Sequence, residues 1–293
     1  MARLTPEEYH IPVMARECLD LLHIRSDGTY ADATLGGGGH TALILQALGP
    51  SGRLFSFDAD DVAIERCKQR FADEQRVSLV HANFDNMPAV MEEQGPVDGI
   101  LFDLGVSSYQ FDHHHRGFSF RMNAPLDMRF GQEGRTAADI LNAASEEELR
   151  RIFFDYGEDP SSRKIAAAMV QRRRLAPFVT TADVRDLIVQ QIPPQHQPKT
   201  LARIFQALRI VVNDELTRLE QTLTRMIPLL APGGRIVVMS YHSLEDRIVK
   251  NVLRDHKQEL RILTKKAVEA TPSEVATNPR ARSARLRAAE RIA

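Results

Sequence analysis

Thr29-Tyr-Ala-Asp-Ala-Thr-Leu35 runs directly into Gly36-Gly-Gly-Gly-His40, and a second short apolar run ends in Asp58. A β-prone segment, a glycine turn, a helix start and an acidic residue about 20 positions later make the nucleotide-binding half of a doubly wound sheet. Glycines let the backbone take positive φ and let a ligand approach the main chain. The first turn of the following helix offers unpaired N–H groups, and a carboxylate at the tip of the next strand can accept hydrogen bonds from both hydroxyls of a ribose. The stretch predicts an adenosine-containing cofactor. Two cofactor classes fit it, because Gly37-x-Gly39-x-x-Ala42 also satisfies the relaxed dinucleotide fingerprint.

Outward from this stretch, strand and helix signals alternate. His40 to Leu48 reads as a helix closed by Gly49-Pro50-Ser51-Gly52, Arg53 to Phe57 as a strand and Val62 to Phe71 as a helix. Val77 to Val80 and Ile100 to Phe102 are the next strands, with a helical pattern around Met87 to Glu92 between them. Units in this order imply a parallel sheet. The rhythm stops near Ser108. From Thr136 to Leu219 the pattern is helical, with a capping box at Ser145 and Glu148, a Thr181 cap ahead of Val184, and one long helix from about Thr200 to Met226. Arg235 to Ser240 then restores a β-branched strand. The economical reading is one Rossmann-like α/β domain, 1–112 and 211–293, interrupted by an all-helical insert at 113–210.

Composition bounds the function classes. With 293 residues, 43% hydrophobic and 26% charged, the chain is an ordinary globular one. A net charge of -1 argues against indiscriminate binding to polyanions. The charge is uneven, however: from Arg254 onward ten Lys and Arg face five Asp and Glu, and Arg172-Arg173-Arg174 forms a second basic cluster. These read either as a solvated face with a polar terminus or as phosphate-contacting surfaces. Cys18 and Cys67 have no paired spacing, so neither a disulfide scaffold nor structural zinc is expected. The N-terminus lacks a signal-peptide core and no apolar run reaches the length of a membrane span, which makes a cytoplasmic setting the default expectation.

In an open α/β sheet, ligands bind outside the carboxyl ends of the strands. Gly36 to His40, Asp58, Asn83 with Phe84, and Asp103 to Ser108 fall there. This layout puts the glycine loop against the amino-acid or phosphate portion of a cofactor, Asp58 on the ribose, Phe84 against the adenine and Asp103 near the reacting end. Each residue also has a plainer reading: a carboxylate past a strand is often a cap or turn former, and Phe84 fits a core. Asp112-His113-His114-His115 suggests a metal, but adjacent histidines in a regular segment cannot converge on one ion, so no metal is expected. Arg116-Gly-Phe-Ser-Phe-Arg121 suits stacking on an unpaired base, or a loop anchored by its phenylalanines. Ser240 to Asp246 lands beside the same pocket but contains no nucleophile elbow.

Further segments are specific enough to name a family. They are His10-x-Pro-Val13, Gly38-Gly-His40, Asp103-Leu-Gly-Val-Ser-Ser-x-Gln110, Arg116 to Phe120, Pro125-Leu-Asp-Met-Arg129, Ala231-Pro-Gly-Gly-Arg235, His242-Ser-Leu-Glu-Asp-Arg247 and Asn278-Pro-Arg-Ala-Arg-Ser283. In this order over nearly the whole chain they resemble the bacterial small-subunit ribosomal RNA cytosine-N4 methyltransferase family, MraW or RsmH, which uses S-adenosylmethionine. The resemblance implies a class I methyltransferase sheet and cofactor contacts from Gly38, Gly39, His40, Asp58, Phe84, Asp103 and Gln110. It implies that the insert and nearby loops address RNA; an assembled ribosomal particle is the expected partner, with naked RNA left open as the substrate, no membrane contact is expected, and a homodimer stays open. Segments of the insert depart from the family pattern, at Asp159 to Ser162 and Lys199 to Arg203, which touches RNA docking more than cofactor use.

A cytosine amino group is a poor nucleophile because its lone pair is delocalised into the ring, so positioning is the main requirement. Many amino-methyltransferases hold such a nitrogen on a loop after the fourth strand, where this chain has Asp103-Leu-Gly-Val106. Asp103 is the expected acceptor of an N–H hydrogen bond, with His242 or Asp127 orienting the base or relaying the proton. The rival readings are an NAD-dependent oxidoreductase, for which no hydride-transfer acid/base pair is evident, and a noncatalytic RNA-binding or ribosome-assembly module that keeps the methyl donor as a structural ligand.

Overall fold

The computed structural model describes residues 12–105 and 116–292. The chain divides into two compact units, residues 1–108 with 216–293 and residues 109–215. The first unit begins with α1 (Ala15–Leu22), β1 (Thr29–Asp32), α2 (Gly39–Ala47), β2 (Arg53–Asp58), α3 (Asp61–Arg70), β3 (Val77–His81), α4 (Met87–Glu92) and β4 (Val97–Asp103). The second contains α5 (Ala137–Ala143), α6 (Glu146–Asp155), α7 (Ser162–Arg173), α8 (Thr181–Gln191) and α9 (Gln197–Asn213). The chain then supplies α10 (Glu215–Met226), β5 (Leu230–Ser240), α11 (Ser243–Asp255), β6 (Leu260–Ile262), β7 (Val268–Glu269), α12 (Pro272–Thr277) and β8 (Arg285–Arg291).

The strands of the first unit lie in the order β3-β2-β1-β4-β5-β8-β6, with β7 also on β8. β1 to β5 pair in parallel, whereas β8 runs antiparallel to β5, β6 and β7. The winding direction reverses between β1 and β4, the switch point at which the carboxyl ends of the strands open a crevice. Alternation along β4 separates two cores. Ile100 and Phe102 face Met87, Leu219, Leu223 and Val249, while Leu101 faces Cys18, Leu22 and Ile44. Burial on both faces is why β4 and β5 read as nearly continuous apolar runs.

In the helical unit, α6 packs on α7 and α9, and α8 on α7 and α9. Its apolar stripes, among them Leu149, Phe153, Ile165, Met169, Val184, Ile188, Ile204 and Leu208, are buried. Capping boxes open α5, α6 and α8.

Three sequence expectations need correction. The single helix from Thr200 to Met226 is two helices, broken where Asp214 takes φ 50°. The cap of α8 is Thr180, whose partner is Asp183, while the Thr181 hydroxyl donates to the Met122 carbonyl. The basic terminus is no solvated tail: β8 lies between β5 and β6, with Leu286 and Ala288 buried.

Candidate functional site

The crevice is organised by a residue that the motif reading passed over. Asp32, at the end of β1, is fully buried. Its Oδ1 accepts the Thr34 N–H at 3.1 Å and its Oδ2 the Thr41 hydroxyl at 2.7 Å, and Thr41 Oγ1 lies 3.0 Å from Ser56 Oγ on β2. The loop leaving β1 is thus tied both to α2 and to the neighbouring strand. Thr34 extends the tie across the switch point, its Oγ1 accepting the Asp103 N–H at 2.8 Å. The readable signal was an acidic residue four positions ahead of the first glycine, Gly36.

The glycines divide the work. Gly38 sits at φ 73°, and a Cβ there would meet the Phe71 ring at 2.8 Å. A Cβ on Gly39 would meet Pro12 at 2.7 Å. Gly37 is different, since nothing lies within 4 Å of where its Cβ would be. No side chain caps α2 and no acidic residue occupies its first turn, so its leading N–H groups are available to an anionic group.

Asp58 closes β2 and is half-buried. Its Oδ2 accepts the Gly36 N–H at 2.8 Å and its Oδ1 the Asp60 N–H at 2.9 Å. Burial pushes the carboxyl up to about 6, against the pull of those two N–H groups. A carboxylate has roughly four lone-pair sites, so one acceptor position per oxygen is left for a ribose.

Asp103, at the end of β4, stands within a cluster. The Tyr241 hydroxyl donates to its Oδ1 at 2.7 Å, and His40 Nδ1 lies 3.4 Å from its Oδ2. His40 is buried on α2, and its Nε2 lies 3.1 Å from the Val13 carbonyl. A carbonyl can only accept, so both ring nitrogens serve their partners when both carry protons. Burial opposes that charge, but the hydrogen bond and the negative charge of Asp103 prevail and hold the imidazole well above its ordinary value. Cys18 of α1 also adjoins His40, its thiol pushed up by burial. Cys18 was not among the expected site residues, because nothing in its local spacing sets it apart; Tyr241 fell in the segment expected beside the pocket but carried no assigned role.

The other expected residues are placed as follows. Phe84 follows β3, half-buried, and meets Phe102 edge-on with centroids 6.0 Å apart, so one part of its ring belongs to the core. Gln110 and His113 to His115 lie outside the described residues. His242 caps α11: its Nδ1 accepts the Glu245 N–H at 3.4 Å, and its Nε2 lies 3.0 Å from Glu245 Oε1 without the alignment of a hydrogen bond. Asp127, in the helical unit, is engaged by Arg129 through Nε and Nη2, both at 2.8 Å. Burial works against its charge, but Arg129 keeps the carboxyl below the usual carboxylate range.

The segment from Arg116 to Arg121 takes the plainer of its two readings. Phe118 stacks on Phe130 at 5.5 Å, Phe120 meets Phe205 edge-on, and the Arg116 guanidinium donates to the Phe130 carbonyl. Two arginines of the cluster are likewise used internally, while Arg174 is exposed. Arg172 pairs with Asp183 and lies over the Phe178 ring, and Arg173 donates to the carbonyls of Leu141 and Ala144.

These donors and acceptors fit S-adenosylmethionine. Uncapped N–H groups at α2 suit an amino-acid carboxylate, the open space at Gly37 admits a ligand against the main chain, and Asp58 suits vicinal hydroxyls.

Comparison with known proteins agrees with that fit. Residues 7–292 match the MraW methylase family. The chain is 44% identical to "Ribosomal RNA small subunit methyltransferase H" of Halothermothrix orenii, over 97% of this chain and 98% of that protein. It is 47% identical to the protein of the same name from Trichormus variabilis, over 97% of this chain and 92% of that one. Among solved structures, an rRNA methylase from Streptococcus thermophilus aligns with a TM-score of 0.47 at 11% identity, covering 95% of this chain and 94% of that one. The chain belongs to the MraW methylase family and is a methyltransferase that draws on S-adenosylmethionine.

Proposed function

We propose that the chain methylates N4 of a cytidine in small-subunit ribosomal RNA. The observation that carries this reading is the setting of Asp103: a carboxylate at the carboxyl end of β4, beside the switch point, oriented by Tyr241 and His40. S-adenosylmethionine, when bound, supplies a methyl group on a sulfonium. Asp103 accepts an N–H hydrogen bond from the exocyclic amine, aims its lone pair and stabilises the positive charge that develops on nitrogen. Asp58 accepts the ribose hydroxyls, Phe84 faces the adenine, and Gly38, Gly39 and His40 form the wall for the amino-acid portion. Gln110 joins the cofactor set through the family resemblance.

His242 and Asp127 take positioning roles in this reading. The ring of His242 is turned onto its own helix and Asp127 is held by Arg129, which suits them to shaping loops better than to touching the reacting atoms. The names of the relatives support an RNA substrate. Recognition of that RNA falls to the helical unit and to basic surface on the first unit.

The test is incubation with labelled methyl donor and small ribosomal subunits lacking the modification, followed by nucleoside mass spectrometry. N4-methylcytidine is the expected product, and its absence overturns the reading. Free small-subunit RNA in a parallel reaction separates naked RNA from the assembled particle as substrate. Parallel calorimetry with S-adenosylmethionine and NAD excludes the oxidoreductase if only the former binds.

A further inference from the structure

A cleft of about 570 Å³ lies on the α11 face of the first unit, apart from the β1/β4 crevice. It is lined by Asp246 and Lys250 from α11, by Lys265, Lys266 and Ala267 ahead of β7, by Glu269, and by Arg285 and Arg287 of β8. Five cations face two carboxylates in a chain whose net charge is -1. The lining contains no aromatic side chain, so it offers no platform for a base.

The cations divide into two sets. Arg287 donates to both carboxylate oxygens of the buried Asp246, at 2.6 and 3.0 Å, and Arg285 Nη1 lies 3.5 Å from Oδ2 of the same group. This pairing spends Asp246 and fixes one wall. Lys250, Lys265 and Lys266 are exposed and make no ion pair among the described residues. Elsewhere in the same terminal region Arg261 and Arg291 are matched with Glu290 and Glu259. Three unmatched ammonium groups converging on a rigid arginine wall are a recognition surface for phosphate, sensed as charge rather than as sequence.

Register locates the cleft relative to the candidate chemistry. Arg285 pairs with Ser240, the last residue of β5, and Asp103 pairs with Met239 one position earlier. The cleft therefore opens at the carboxyl-end rim of the sheet, two strands from β4 or roughly 10 Å at the usual strand spacing. A strand of nucleic acid with one base at Asp103 has backbone within reach of it.

Resting on the methyltransferase reading above, we infer that this cleft binds the sugar-phosphate backbone of the RNA beside the target nucleotide, through Lys250, Lys265 and Lys266. The experiment uses the full chain, a small-subunit ribosomal RNA fragment and a triple variant, Lys250→Gln, Lys265→Gln and Lys266→Gln, with RNA affinity measured across a salt series. Loss of three phosphate contacts lowers the slope of log affinity against log salt by about 2 to 3, with unchanged S-adenosylmethionine affinity. The corresponding triple Lys→Arg variant restores RNA binding. A glutamine variant with the wild-type slope and affinity overturns the inference. Inorganic phosphate, titrated at fixed ionic strength, separates a polymer site from one for the free ion: saturable phosphate binding with an unchanged RNA slope also overturns it. Wild-type RNA binding that the triple variant loses, without N4-methylcytidine formation by either protein, sinks the catalytic reading and leaves the cleft standing.

Discussion

The Tyr241 hydroxyl donates a 2.7 Å hydrogen bond to Oδ1 of Asp103, joining the residue that follows β5 to the last residue of β4. Burial and the adjacent Asp103 charge push the phenol far above its ordinary range, so it stays a donor at every working pH. Tyr241→Phe removes that donor and leaves the ring. A hydrogen bond to a charged group is worth about 1.5 to 3 kcal/mol, so single-turnover methyl transfer should fall by about 10- to 100-fold. S-adenosylmethionine affinity, measured alongside, should change little.

Asp103→Asn is the companion experiment. It keeps the size of the side chain but removes the charge facing His40 and the developing positive amine, and methyl transfer should fall by at least ~10²-fold. Near-normal transfer by a folded variant would remove Asp103 from the chemistry.

Asp58 predicts a pH dependence for cofactor binding. Its carboxyl is pushed up to about 6, and in the proposed role ribose hydroxyls would donate to the ionised form. Affinity should therefore rise with pH up to about 6, by at most about tenfold per unit, and level off above it. Calorimetric titrations between pH 5 and 8 read this directly. Asp58→Asn should bind more weakly, with the break abolished.

His40 predicts a dependence of opposite sense, in stability. Its folded value lies above the unfolded value of about 6.5. The stabilisation is then complete below about 6.5 and lost as pH rises through the folded value. Urea denaturation midpoints should drift downward across the alkaline range in the wild type. His40→Gln should flatten that drift; an equal drift in both would show that other groups cause it.

The pair formed by Arg287 and Asp246 predicts a large structural effect. Removing one partner of a fully buried ion pair costs about 3 to 5 kcal/mol; this pair is part-buried and Arg285 stays 3.5 Å from Asp246, which holds the cost at or below about 3 kcal/mol. Arg287→Ala should lower unfolding stability by up to that amount. The double variant Arg287→Ala, Asp246→Ala should recover part of the loss, which separates a stranded charge from lost packing.

The parallel half of the sheet was legible because burial on both faces leaves few residue choices: Arg53 to Phe57, Val77 to Val80 and Ile100 to Phe102 all fall within observed strands. β8 was not legible. Its residues Arg285 to Arg291 read as a charged terminus, yet Leu286 and Ala288 fill one core while Arg287 and Glu290 are neutralised by Asp246, Arg235 and Arg261. Local patterning cannot anticipate partners supplied from 29 to 55 positions away. The same limit governed the site. Asp58 and Asp103 sit where any open α/β sheet places its ligands, whereas the link from Asp103 to Tyr241 spans 138 positions and needs the fold to reveal it. The break at Asp214 was hidden for a different reason, because α9 and α10 share an amphipathic period and only a backbone angle separates them.

The position of β8 also orders events during synthesis. Until residues 285–291 emerge, β5 has a partner on one side only and presents Ile236, Val237, Val238 and Met239 along a bare edge, with six register pairs still unmade. An exposed apolar edge of that kind is a template for pairing with another chain. The nascent protein is therefore most prone to aggregate after the helical unit has all of its residues and before β8 has joined the sheet.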